Sequence, residues 1–193
     1  MMTGRDLVLA ALKRQETPRV PWVPFTGVHI GSLKGVDAER LLKSADLLVA
    51  CGVEANRRYQ PDGQPVIFDL QVEAEILGCG LQWAKDAPPA VATHPLASGY
   101  EGLKDLALPR PEDGRLPIIL DAMRRLKEEI GSDTALYGLL VGPFTLALHL
   151  RGTNIFLDMF DQPEAVKELV DFCRQVTERV ADYYIDAGMD VIA

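Results

Sequence analysis

Seven consecutive residues without a charge, Ala135-Leu136-Tyr137-Gly138-Leu139-Leu140-Val141, constrain this chain more than any other stretch. A strand that is apolar at nearly every position has no face to give to water, so it belongs in a sheet covered on both sides. The next segment supplies a cover. From Asp161-Gln162-Pro163-Glu164, which reads as a capping box with Pro at the first helical position, Val166, Leu169, Val170, Cys173, Val176, Val180, Tyr184 and Ala187 recur every three or four residues until Gly188. Met189 to Ala193 then begins another apolar run. Strand, long helix, strand is a parallel βαβ unit, whose crossover is right-handed.

The same alternation extends upstream. Thr3-Gly4-Arg5-Asp6 reads as a capping box opening an entry helix that Pro18 stops. Val20-Pro21-Trp22-Val23-Pro24-Phe25 is expected as a first strand, with its prolines tolerable at strand ends or on an edge. A helix is expected from Asp37 to about Gly52, and a second strand at Pro65-Val66-Ile67-Phe68-Asp69. Val72 to Leu77 suits a short helix closed by Gly78, and Leu81 to Pro109 a loop with hairpin pieces. Leu116 to Ile130 is an amphipathic helix leading to the third strand at Ala135–Val141. Four strands with intervening helices make half of an eight-fold barrel, and an open doubly wound sheet is the alternative. Neither a GxGxxG nor a P-loop is present, which removes the usual functional reason for a doubly wound sheet.

Composition narrows the partners. With 28 acidic against 20 basic residues and a formal net charge of −8, the chain has no general attraction for nucleic acid or an anionic membrane, which leaves small molecules or proteins. The three cysteines, Cys51, Cys79 and Cys173, are odd in number and far apart, and read as small buried hydrophobes in a reducing cytoplasm. No signal peptide or membrane-length apolar run is expected.

Two motifs carry a family resemblance. Ile67-Phe68-Asp69-Leu70-Gln71-Val72-Glu73-Ala74-Glu75-Ile76-Leu77-Gly78-Cys79 resembles, without a gap, the segment of the uroporphyrinogen decarboxylase superfamily that ends a strand on an acid and continues to an Ala-x-x-Leu-Gly-like turn. Val141-Gly142-Pro143-Phe144-Thr145-Leu146-Ala147 is similar to its Gly-x-Pro-(Phe/Trp)-Thr-Leu motif at the mouth of the third strand. The resemblance runs from Arg5 to Ala193 and implies a TIM-type (β/α)8 barrel of which residues 1–193 form a single domain, the N-terminal half: an entry region over 1–18, then strands one to four with their helices over 19–193.

Departures from the decarboxylase pattern point within the superfamily. The strand-one loop of the decarboxylases carries an Arg-x-x-x-Arg element suited to a substrate with many carboxylates. Here the loop is Phe25-Thr26-Gly27-Val28-His29-Ile30-Gly31-Ser32, with no arginine, and His149 stands where a decarboxylase tyrosine would fall. The chain therefore looks more like the cobamide-dependent methyltransferases, which implies methyl transfer between a corrinoid (methylcobamide) co-substrate, carried on a small corrinoid protein, and a thiol or related acceptor. In that branch zinc activates the thiol, through a His-x-Cys pair and a later Cys in the second half of the barrel. No metal ligand is expected in these 193 residues, and the isolated chain is expected to be inactive. Uroporphyrinogen decarboxylation, without cofactor, is the alternative activity. A non-catalytic half-barrel assembly module is the third reading, and open strand edges imply dimerisation or self-association.

Each candidate has a plainer alternative. Asp69 and His149 are the candidate catalytic residues, and Phe25, His29, Gly142, Pro143, Phe144 and Thr145 the candidate substrate contacts. In an eight-fold barrel the carboxyl ends of strands face the active site, so Asp69 is expected at the mouth, where the resemblance implies contact with a substrate amine, pyrrole N–H or corrinoid side chain. Otherwise it caps the short helix after it. His149 otherwise is a half-buried residue of an apolar stretch, His29 a solvated loop imidazole, and Pro143 and Thr145 shape a turn. Glu73 and Glu75 read as solvated helix faces, and Tyr183 and Tyr184 as packing residues.

Overall fold

The computed structural model describes residues 2–193. Helix α1 (Gly4–Leu12) opens on the capping box read from the sequence: the Thr3 hydroxyl accepts from Asp6 N, and the Asp6 carboxylate accepts from Thr3 N at 3.2 Å. The expected first strand does not form a ladder. Residues 20–25 carry no regular secondary structure, and Pro21 and Pro24 have no N–H to give to a ladder. Trp22 alone is tied to the neighbouring segment, its N–H on the Asp62 carboxylate at 2.7 Å and its carbonyl accepting from Asp62 N at 2.9 Å.

After a short helix α2 (His29–Ser32), the helix expected over 37–52 divides in two. Asp37 caps α3 (Ala38–Leu42) and Ser44 caps α4 (Ala45–Tyr59), each side chain accepting from the backbone N–H three residues on. Gly52 does not end the helix but lies inside it, where α4 packs closely on the Leu126 side chain. Strand β1 (Gly63–Pro65) is set earlier than the apolar run from Pro65 suggested, because Val66–Asp69 peel away from the sheet after one last bond from Val66 N to Tyr137 O.

Helix α5 (Val72–Ile76) follows, then an antiparallel hairpin of β2 (Leu81–Gln82) and β3 (Ala90–Val91) and a 3-10 turn at Glu101–Asp105. Helix α6 (Leu116–Ile130) has the expected bounds and buries Leu116, Ile119, Leu120, Met123 and Leu126. It leads into β4 (Ala135–Gly138), buried at all four positions, as an uncharged run requires. The Pro-Phe-Thr-Leu segment is helical: Gly142 is the N-cap and Pro143 the first residue of α7 (Pro143–Arg151), where a missing N–H costs nothing. Helix α8 (Ile155–Asp161) was not expected. The long helix α9 (Pro163–Asp186) starts at the expected proline, although its cap, Gln162, makes no side-chain bond and the anticipated box is not formed. The chain ends on β5 (Val191–Ile192).

The described sheet is β1-β4-β5, parallel throughout, with Gly63 opposite Ala135 and Tyr137 opposite Val191. Helices α4 and α6 pack on each other over one apolar cluster, and α7 and α9 over another. At the amino ends of the strands, Asp190 clamps three segments: its carboxylate receives Arg5 Nε at 2.8 Å, Lys127 Nζ at 2.7 Å and Leu136 N at 3.0 Å. Those contacts serve stability and leave the carboxyl ends for chemistry.

Candidate active site

Past Pro65 the chain leaves the ladder, and Phe68 is the one half-exposed residue among the buried Val66, Ile67 and Asp69. Phe68 turns outward to a cavity of about 520 Å³ whose wall also includes Phe25, Thr26, Val28, His29 and Lys85. Phe25, 48% exposed, meets Phe68 edge-on at 6.0 Å between ring centroids and Tyr137 at 6.1 Å. The turn that carries Phe25 needs Gly27 at φ +57°, a conformation side chains disfavour, and a Cβ there would lie 3.3 Å from Phe68. His29 is held at both nitrogens: Nε2 is 2.9 Å from the Tyr59 hydroxyl, and Nδ1 is 3.3 Å from the Ser32 hydroxyl.

Asp69 turns the other way. Its side chain is 0% exposed and lies 2.8 Å from Nη1 of Arg115, a residue at the start of α6. Its Oδ1 also accepts Gln71 N at 3.0 Å, a turn contact just ahead of α5; the N–H groups of that helix itself receive no side-chain cap. Asp69 is therefore absent from the cavity wall, against the expectation that it would stand at the mouth. Arg115 has further partners: Nε donates to Glu75 at 2.6 Å, Nη1 reaches the Leu42 carbonyl at 3.4 Å, and the guanidinium lies 5.0 Å from the centre of the Trp83 ring. Within this network Asp69 Oδ2 and Arg115 Nη2 are buried without an aligned hydrogen-bond partner.

Glu73 is a correction to the sequence reading. Far from solvated, it is 1% exposed, with Val141 N at 3.4 Å, and burial, reinforced by the nearby Asp69 charge, pushes its carboxyl up to about 7. Glu75 is only half-buried, but it too is committed to Arg115.

His149, half-buried on α7, faces a different neighbourhood. Its backbone carbonyl accepts from His94 Nδ1 at 2.7 Å and Cys79 Sγ at 3.3 Å, and its own Nδ1 is buried without a partner. Burial, and then the neighbouring His94, holds its imidazole below the usual range. Neither it nor the Gly142–Thr145 segment lines the Phe25–Phe68 cavity. Phe144, 42% exposed, instead sits 6.2 Å from Phe156 on α8. All three cysteines are free and buried, with Cys79 and Cys173 pushed up to about 12 by burial, so they do not fit a metal-bound thiolate. Among the described residues no group of three or more His, Cys, Asp or Glu is placed to hold a metal, and no helix is long and apolar enough to cross a membrane.

Arg115 and Trp83 were missed. Periodicity marks Arg115 only as the residue before an amphipathic helix, and nothing local says that it is buried. The available signal was three carboxyls, Asp69, Glu73 and Glu75, crowded into a mostly apolar segment that needs a cation from elsewhere.

A family model described as uroporphyrinogen decarboxylase (URO-D) matches residues 3–193. The chain belongs to this family. Among relatives of this URO-D member, the methylcobamide:CoM methyltransferase MtbA of Methanosarcina acetivorans is 31% identical over 99% of the chain and 57% of its own length. A methylated-thiol–coenzyme M methyltransferase of Methanosarcina mazei is 37% identical over 57% of the chain and 28% of its own length. A uroporphyrinogen decarboxylase of Alkalilimnicola ehrlichii is 26% identical over 97% of the chain and 54% of its own length. A solved methyltransferase from Methanosarcina mazei superposes with a TM-score of 0.90 at 24% identity, covering the whole URO-D segment and 58% of that chain. The fold is thus the parallel α/β arrangement of a partial TIM-type barrel, and the chain spans about half the length of the curated relatives it matches.

Proposed function

We propose that this chain is the N-terminal part of a cobamide-dependent methyltransferase, which moves a methyl group between a corrinoid co-substrate, carried on a corrinoid protein, and a thiol or related acceptor. The observation that carries this reading is the cavity wall: Phe25, Val28, Phe68 and Pro88 are apolar, the one cation is Lys85 beside Asp86, and no arginine is among the lining residues. A substrate bearing many carboxylates needs charged, bidentate donors, which this wall does not offer. A corrinoid ring edge suits it better, since flat apolar surface packs on aromatic side chains. The names of the more similar relatives support the same activity.

In this reading Phe25 and Phe68 receive the ring, His29 presents a hydrogen-bonding group beside it, and Phe144 at the start of α7 adds a second apolar contact for the co-substrate. The zinc implied by the resemblance finds no ligand set among the described residues, and none of these roles depends on it. The 193 residues act as one unit in a reducing cytoplasm, where free buried cysteines persist. The test is a full-length protein containing this chain, assayed for loss of methylcobalamin absorbance in the presence of coenzyme M. Turnover is expected. Coproporphyrinogen formation from uroporphyrinogen, with no methylcobalamin consumed, overturns the reading in favour of decarboxylation.

A further inference from the structure

Arg115 stands behind the cavity wall and touches the segments that build it. Asp69, 2.8 Å from its Nη1, directly follows the wall residue Phe68. The Trp83 ring, 5.0 Å from its guanidinium, precedes the wall residue Lys85 by two positions. The Lys85 carbonyl in turn accepts Ala38 N at 2.7 Å, at the start of α3, and Arg115 reaches the carbonyl of Leu42 at the end of the same helix. The Arg115 side chain is 6% exposed, so these contacts act with little solvent screening. The Trp83 ring also carries the Lys43 ammonium, 4.0 Å from its centre, so what is particular to Arg115 is the joining of that ring to Asp69 and Glu75, which a single ammonium, without a planar fork, does not span.

We propose that Arg115 is a positioning residue for the mouth: it fixes Phe68 through Asp69 and the Lys85 segment through Trp83, and so sets the shape that receives the co-substrate. The proposal takes the cavity as the co-substrate site and in that respect rests on the function proposed above. Its core, the coupling of Asp69 to Trp83 through one guanidinium, is testable without any activity. In the full-length protein labelled with 5-fluorotryptophan, the 19F NMR signals of Trp83 and Trp22 are assigned by their loss in Trp83→Phe and Trp22→Phe. Arg115→Lys and Asp69→Asn are each expected to shift or broaden the Trp83 signal while Trp22 stays put. A Trp83 signal that ignores both substitutions overturns the proposal. Arg115→Lys keeps the charge and guards against loss of folding on Asp69→Asn.

The second arm uses the full-length protein. Arg115→Lys is expected to raise KM for methylcobalamin about fivefold or more, with kcat changed less, and to lose that effect in a Phe68→Ala background. An unchanged KM, or effects that simply multiply, overturns the positioning role. Absence of methylcobalamin turnover in the unsubstituted protein sinks the function alone, and the 19F result then decides Arg115.

Discussion

At Glu73 a single carboxyl stores a pH dependence. The group titrates at 4.5 when solvated and at about 7 when folded, because burial in an apolar site disfavours its charge. Below pH 4.5 it is protonated in both states. As pH rises towards 7 the unfolded chain gives up the proton first, so the native state loses stability, by about 3 kcal/mol in all. His149 runs the opposite way: held low by burial and His94, it contributes stability that is present above pH 6.5 and lost as pH falls. The two overlap in the unsubstituted protein, which is why a difference measurement is needed. Glu73→Gln keeps the shape and removes the titration. Its stability relative to the unsubstituted chain, from urea unfolding, should be about 2–3 kcal/mol more favourable at pH 8 than at pH 4. A pH-independent difference would show that Glu73 is not the buried acid described. None of this was legible in Val72-Glu73-Ala74-Glu75, where alternate glutamates look alike. The contact that separates them, Val141 N over Glu73 and Arg115 over Glu75, comes from residues far along the chain.

At the scale of elements, the long periodic segments were readable and the strands were displaced. Helix α6 and the start of α9 stand where their apolar stripes put them, since burial of one face is a property of the segment itself. Strand β1 is different. Gly63, Gln64 and Pro65 are poor strand formers, and they form one because β4 offers a ladder and because polar groups find partners: Gln64 donates to the Gly52 carbonyl at 3.2 Å and accepts from Asn56 at 3.3 Å. Gly63 is required by closeness alone. A Cβ there would stand 2.8 Å from the Tyr137 ring and 3.1 Å from the Ala135 carbonyl, and Tyr137 is itself buried under Phe25 and cannot retreat. Gly63→Ala should therefore destabilise the fold by about 1–3 kcal/mol, despite the gain alanine normally brings to an unfolded-state comparison. A midpoint in urea equal to that of the unsubstituted chain would refute the packing argument.

At the scale of the whole molecule, the order of the elements was legible and closure was not. Alternating strands and helices implied a parallel sheet, and Pro21 and Pro24, lacking N–H groups, keep its expected first member out of the ladder. An eight-stranded barrel has no edges, whereas β1-β4-β5 ends on β5 at one side, with Val191 and Ile192 only half-buried. At the other side Val20 is 84% and Trp22 51% exposed. Apolar surface beside unpaired backbone recruits another chain more strongly than either feature alone. Helix α8 adds a separate patch, with Leu157 65% and Phe160 86% exposed. We therefore expect the 193-residue chain on its own to self-associate at micromolar concentration, with a mass by light scattering that rises with concentration. The two surfaces are separable: if the sheet edges drive association, Val20→Lys with Ile192→Lys should reduce it while Leu157→Lys with Phe160→Lys leaves it in place. The reverse pattern would move the contact to α8, and a concentration-independent monomer would mean that the flanks shield each other within one chain.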